Sequence, residues 1–523
     1  MSYNRRSADN VLSACSVIMA LGLMAPAFWA GPLVLDEHAA YWLSAPDGSL
    51  SIWERSTRYA AAPPLANWAQ AVSMRLLGET ELALRLPSTL AYVAAVVVMG
   101  FGFRSSMGAR AAALAACALA LHPDVVDEVR VGRTYGFVVL VTTLLLLITF
   151  RWRSPRIVLR EGLFWGLTAA AAVWTHVLTI PVVAISAVLL GICDVLQFRS
   201  LRPATVLGWV LAGLLCVPLV PMGERIWEWR YALNFQTGSV ALREALGPVV
   251  WLALPLAAAA AVITTCFQQI RRGRSESSQH AERSPVNPVS AIVNSMVMGL
   301  LPLWMLVAAG QGDLSSLAHP RYRVPLAAAS ACLLGLLCGV VRRPALAVAC
   351  LVLCLTSAWV VIGRSPLQLV RLSTPQAPVW KQIAETLEQT VREQNLQNAP
   401  VFVQSGLIEG ILIPAYPEDV AFHGYVSSRL GQFYCRTDNP RYALPMFWGG
   451  DNAALIAFFE RTLQETASRS PGGLFVAVAT DTDVNRASFE TFARFLDEFG
   501  YKGTVLAGQE PWAVLYHYRR EAP

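Results

Sequence analysis

The sequence predicts a polytopic α-helical membrane protein of about eleven transmembrane helices with a soluble α/β domain at its carboxyl end. Three observations lead there. Hydrophobic residues make up 55% of the 523 and charged residues only 15%, with a mean hydropathy of +0.46, far from the balance of soluble chains. Apolar runs of about twenty residues, the length a bilayer core demands, recur over the first two thirds. Beyond about residue 364 the composition turns soluble, and strand-like runs alternate with amphipathic helical patterns.

Charge and cysteine usage narrow the function classes. The net charge is +6, but the arginines cluster in alternate connecting loops, as the positive-inside rule leaves them. They form no single basic stripe, so nucleic acid is not an expected partner. Nine of the 10 cysteines sit in apolar runs and only Cys435 lies in a soluble stretch. A disulfide framework is excluded there, and zinc-type spacings are missing.

In chain order, a polar start with Arg5 and Arg6 precedes an apolar run over 11–30. Its AFWA ending resembles a signal-peptidase site, yet the run exceeds a usual signal core, and it is read as the first span. A loop over 31–85 follows, and within it 65–77 repeats apolar residues at helical spacing around Trp68, as an interfacial helix would. Further spans are expected at 86–103, 111–121, 135–150, 162–179, 180–196, 204–221 and 248–267. The last three are one ending near Gly310, one between RYRVP and VRRP, and one over 345–362. Arg-rich loops at 104–110, 151–160, 199–202, 271–283 and 342–343 fall on the amino-terminal side, while Asp36, Asp124, Asp127 and Glu224 fall on the other. The amino terminus is therefore expected in the cytoplasm, and residues 364–523 outside it, in a bacterium the periplasm. No strand in 364–523 is followed by a glycine-rich phosphate loop, so a nucleotide site there is not expected.

The stretch 31–88 holds the chemistry. Asp36 and Glu37 stand side by side just beyond the first span, where a carboxylate is costly near lipid and is by default a functional residue. The plainer reading is a helix cap or a solvated pair. Asp124, Asp127 and Glu128 form a second acidic group on the same side, and His176 sits at the outer end of a span.

The order of motifs over 1–363 resembles the GT-C glycosyltransferases related to the family 39 mannosyltransferases and the RgtA/B/C/D-like group. The matching features are Asp36–Glu37, Pro63–Pro64–Leu65, the segment from Gly78 to Ser88, Arg133–Thr134–Tyr135, Thr175–His176 and Arg321–Tyr322. This chain departs from the pattern at Ala62, Val177 and Val131–Gly132, which bear on substrate identity more than on reaction class. The resemblance implies a polyprenyl-phosphate-linked sugar donor in the membrane, a glycan, lipid or protein acceptor outside it, and transfer with inversion. Asp36 is then the general base and Glu37 its orienting partner. Arg133, Arg321, Tyr322 and Tyr135 are implied to hold the donor phosphate, since guanidinium grips phosphate oxygens bidentately. Asp124, Asp127, Glu128 and His176 are candidates for a second carboxylate or for ligands of a divalent metal. Two other classes stand beside this one. A transporter or flippase would place charges within spans and show inverted repeats. A glycan-binding assembly subunit would place its function in 364–523.

Overall fold

The computed structural model describes residues 2–29, 31–46, 50–152, 159–226, 292, 295–299, 320–341, 343–361, 375–448, 452–469 and 473–520. The expected span at 248–267, the basic loop at 271–283, the span ending near Gly310 and the composition boundary near 364 lie outside these residues. The amino-terminal part runs α1 (Ser2–Trp29), α2 (Leu35–Ser44), α3 (Ile52–Glu54), α4 (Leu65–Leu77), α5 (Glu81–Val97), α6 (Arg104–Met107) and α7 (Ala109–Ala120). It continues with α8 (Pro123–Arg130), α9 (Tyr135–Arg151), α10 (Leu159–Thr175), α11 (Ile180–Phe198) and α12 (Pro203–Cys216). Later come α13 (Pro320–Arg323), α14 (Ala327–Gly339) and α15 (Pro344–Val361).

Among the described residues three helical segments are long and apolar enough to cross a membrane, at Ala8–Ala25, Glu81–Met107 and Val177–Phe198. A fourth arises if α7 and α8, bent by 56°, count as one. The expected span at 111–121 is thus the first limb of a bent pair. Proline lacks an amide proton and disfavours helix at the residue before it, so His122–Pro123 ends α7. The His122 ring then caps α8 by accepting the Asp124 amide proton at 3.3 Å. The expected interfacial helix at 65–77 is α4.

Small residues set how closely these helices approach, as is usual where lipid removes the hydrophobic drive for association. A Cβ on Gly136 of α9 would lie 1.8 Å from the Ser88 carbonyl oxygen of α5. The Gly136 amide instead donates to Ser88 Oγ at 3.0 Å. A Cβ on Gly335 of α14 would likewise meet the Ala111 carbonyl oxygen of α7 at 2.5 Å.

The carboxyl-terminal part has α16 (Gln376–Glu393), β1 (Val401–Gln404), α17 (Val420–Val426), β2 (Arg441–Ala443), α18 (Ala453–Arg469), β3 (Leu474–Ala479), α19 (Asp483–Glu498), β4 (Tyr501–Gln509) and β5 (Ala513–Arg520). The sheet order is β2-β1-β3-β5-β4. β1 pairs in parallel with β2 and β3, and β5 runs antiparallel to β3 and β4. Alternation along the strands sorts the core onto two faces. Val401, Val403, Phe475 and Ala477 pack with Trp380, Ile383 and Leu387 of α16. Phe402 and Val476 pack with Phe459 of α18 and Phe492 of α19.

That second cluster does not stop at the sheet. Ala39 and Leu43 of α2, with Tyr59 and Ala60, belong to the same buried cluster as Phe402, Phe422 and Tyr425. A phenol strengthens the join: Tyr434 accepts the Leu33 amide proton at 2.8 Å and donates to Glu81 at 2.8 Å. The α/β region and the first loop therefore share one core.

Replacing Gly136 by valine is expected to destabilise the protein by at least about 2 kcal/mol, because backbone rather than a yielding side chain fills the space. Gly22→Ala, where a Cβ meets nothing within 4 Å, serves as the neutral control. Thermal midpoints of the detergent-solubilised variants check both.

Candidate active site

Successive helical residues project about 100° apart, so the adjacent acids in the first turn of α2 part company. Glu37 is fully buried. Its two oxygens accept from Arg85 Nε at 2.6 Å and Nη2 at 2.7 Å. They also take the amide protons of Gly132 at 2.7 Å and Val34 at 3.0 Å. Asp36 points the other way and keeps 42% of its side-chain surface accessible. Its Oδ2 lies 2.6 Å from Arg133 Nη1 and 3.8 Å from Arg321 Nη1.

Each cation is placed by its own local device. Arg133 follows Gly132, where a Cβ would strike Leu84 Cγ at 2.9 Å. The Gly132 carbonyl accepts from Gln70 Nε2 at 2.6 Å, so this turn is fixed from both sides. The Arg133 guanidinium lies 5.3 Å from the centre of the Tyr135 ring, which stacks on His176 at 5.6 Å. Arg321 is carried by the single turn α13, with Tyr322 beside it. That turn is tethered by the next residue but one: Arg323 donates to Asp124 Oδ2 at 3.0 Å and Oδ1 at 2.6 Å, both side chains being buried.

The electrostatics of the recess are cationic. Desolvation pushes the Asp36 carboxyl up, but Arg133, Arg321 and Arg429 outweigh it and hold the group below the usual carboxylate range. Burial opposes the charge on Arg133, and Asp36 more than restores it. His176 is pushed down to about 3 by burial, with Arg133 and Arg321 adding to the effect. Its Nδ1 accepts the Leu178 amide proton at 3.1 Å, so it is a neutral wall behind Tyr135. His38 is also pushed down to about 3, by burial and by Arg429.

The structure thus brings together Asp36, Arg133, Arg321, Tyr135 and His176, and sends other candidates elsewhere. Glu37, expected to orient acceptor or base, is instead sealed into a bidentate pair with Arg85. Asp124, expected as a second carboxylate or metal ligand, is occupied by Arg323. Asp127 faces Arg130 at 4.0 Å. Glu128 acts on Arg133 and Tyr135 through its charge. Among the described residues no group of three or more His, Cys, Asp or Glu side chains could hold a metal ion. The sequence reading missed Arg85, although an arginine within ELALRLPSTLAYVAAVV requires a carboxylate partner. It also missed what the α/β region contributes. Arg429 is buried over the Trp380 ring at 4.5 Å and donates to the Ser405 carbonyl at 2.9 Å and Gln376 Oε1 at 3.0 Å. Glu409 and Tyr425 lie within electrostatic reach of Asp36.

Two outcomes separate the acids and define the pH response. Glu37→Gln is expected to cost about 3–5 kcal/mol, because it strands the buried Arg85 charge, while Asp36→Asn leaves the thermal midpoint nearly unchanged. His38 and His176 stay neutral in the fold, whereas in the unfolded chain they titrate near about 6.5. The unfolded state then binds more protons below that pH, so stability falls as pH drops from 7 to 5. Thermal midpoints across that range, with His176→Asn flattening the slope, check this.

Residues 61–222, which include Arg133, Tyr135 and His176, match the family described as Dolichyl-phosphate-mannose-protein mannosyltransferase. No curated protein matches the chain. Among solved structures, ArnT from Cupriavidus metallidurans in the apo state superposes with a TM-score of 0.55 at 14% identity, covering 97% of this chain and 98% of that one. The same protein bound to undecaprenyl phosphate gives a TM-score of 0.53 at 15% identity, covering 96% and 97%. Apolar helices and this shared fold make the chain an integral membrane protein. The chain thus has the fold of the GT-C glycosyltransferase structures, and the segment that supplies Arg133 matches the mannosyltransferase family.

Proposed function

We propose that the protein transfers a sugar from a polyprenyl-phosphate donor to an acceptor on the extracytoplasmic side of the membrane, with inversion and with Asp36 as general base. The observation that supports this best is one carboxylate oxygen of the part-exposed Asp36 set between two guanidiniums, 2.6 Å from Arg133 and 3.8 Å from Arg321. The ArnT structure with undecaprenyl phosphate supports the choice of lipid. In this reading the amino terminus is cytoplasmic, residues 1–363 form the catalytic membrane domain, and residues 364–523 lie outside it, in a bacterium the periplasm.

The two arginines would take the donor phosphate, with Tyr322 on the same turn. A phosphate is already a good leaving group, so the protein has to stabilise its growing charge rather than protonate it. The acceptor oxygen attacks the anomeric carbon, the bond from that carbon to the phosphate oxygen breaks, and polyprenyl phosphate leaves. The acceptor proton passes to Asp36. Before the donor arrives, Asp36 occupies the cations and is a weak base. Once phosphate draws the guanidiniums away, its basicity returns toward that of an ordinary carboxylate, so base and donor are engaged together.

The test uses the full-length protein in lipid nanodiscs, a panel of undecaprenyl-phosphate monosaccharides, and envelope membranes of the source organism as acceptor. Asp36→Asn is expected to lower release of undecaprenyl phosphate by about 100-fold or more without lowering the thermal midpoint. Arg133→Lys, which replaces a planar fork by a point charge, is expected to lower kcat/KM by roughly tenfold or more. An Asp36→Asn protein of full activity would refute the assignment.

A further inference from the structure

We propose that Glu409, presented by the α/β region and braced by Tyr425, hydrogen-bonds the sugar carried by the donor, so that this region helps to select which sugar is transferred. The proposal rests on the reading of Arg133 and Arg321 as the donor-phosphate grip. Glu409 stands in the first turn of the 3-10 segment Ile408–Ala415, a lone acid in the apolar run GLIEGILIP. A single carboxyl placed among apolar residues is costly unless something engages it.

Its position follows from the join between α17 and α2. Trp42 of α2 packs on Tyr425 at 5.2 Å. Gly424 allows that approach, since a Cβ there would already lie 3.5 Å from Trp42 Nε1. The Tyr425 phenol donates to Glu409 Oε1 at 3.1 Å. The segment is pinned next door, where the Gly410 carbonyl accepts the Met446 amide proton at 3.2 Å. Glu409 is thereby carried into the electrostatic field of both Asp36 and Arg321. A donor sugar is bonded directly to its phosphate, so a group in reach of the phosphate-gripping cation borders the first sugar ring.

The state of the carboxyl suits that place. Burial, with Asp36 adding to it, pushes Glu409 up from the ordinary range, and its own backbone amide, the Tyr425 phenol and Arg321 offset this only in part. A carboxyl whose charge is disfavoured repels a nearby phosphate less, and its oxygens accept from sugar hydroxyls. Asp36 and Glu409 are thus two carboxyl groups pushed apart by their surroundings, the pattern that separates acid and base roles in known sites.

The experiment measures binding of two lipids to the full-length protein in nanodiscs: undecaprenyl phosphate alone, and each undecaprenyl-phosphate monosaccharide of the panel. Glu409→Ala is expected to weaken the sugar-loaded lipid of the natural sugar about tenfold, the loss of one substrate hydrogen bond. Bare undecaprenyl phosphate should bind within about twofold of wild type. Glu409→Gln, which keeps a neutral donor and acceptor, should restore most of the difference, and Tyr425→Phe should reproduce part of it. Equal weakening of both lipids would overturn the proposal in favour of a folding role. Unchanged binding of every lipid, with transfer lost only when acceptor membranes are present, would overturn it in favour of an acceptor role. Either result leaves the assignment of Asp36 standing, because that depends on the activity of Asp36→Asn.

Discussion

Everything at the site hangs from the buried Glu37–Arg85 pair. Besides its two bonds to Glu37, the Arg85 guanidinium donates to the carbonyls of Ala27 at 3.2 Å, Gly31 at 3.1 Å and Pro32 at 3.4 Å. One side chain therefore gathers the end of α1, the turn after it and the start of α2. Glu37 in turn holds the Gly132 amide beside Arg133. Desolvating two charges is expensive, and their attraction returns that cost only where the remaining donors and acceptors are filled. Here they are filled from three separate stretches of chain. The pair therefore fixes a geometry, and Asp36 inherits its direction from its buried neighbour.

The same logic explains how two arginines can share a recess around the single carboxylate of Asp36. Arg323 lies two residues past Arg321 and spends its charge on Asp124, which anchors the turn and leaves Arg321 directed at Asp36. Neutral histidines line the region without adding to the positive charge. The site is thus positive where a phosphate would lie. Glu409 and Tyr425 approach it from the α/β region.

Much of this was legible in the sequence. The apolar runs expected as spans at 135–150, 162–179, 180–196 and 204–221 fall on α9, α10, α11 and α12, because a long apolar run leaves an unbroken signal, though of these only α11 lies in a segment long and apolar enough to cross a membrane. Among the strand-like runs beyond residue 364, the apolar stretches VFVQ and LFVAVA are β1 and β3. The three-residue β2 is too short to show alternation. Asp36 and Arg133 could be singled out because their neighbours form ordered motifs. Their partition from Glu37 and Asp124 was not, since a one-residue step along a helix decides between recess and core, and the sequence does not give the helix's rotation. Arg85 carried a signal in its apolar surroundings. Glu409 reaches the site only through tertiary packing of a distant region, which no local pattern encodes.

The merged core of the α/β region and the first loop has a mechanical consequence. Leu43, Tyr59, Phe422 and Tyr425 are buried by one another across the join, so lifting this roof would wet apolar surface on both sides and break the Tyr434 bonds to Leu33 and Glu81. A hinge there would work against the hydrophobic effect at every opening. For the lipid-linked donor proposed above, that cost would favour sideways passage within the bilayer over opening the join.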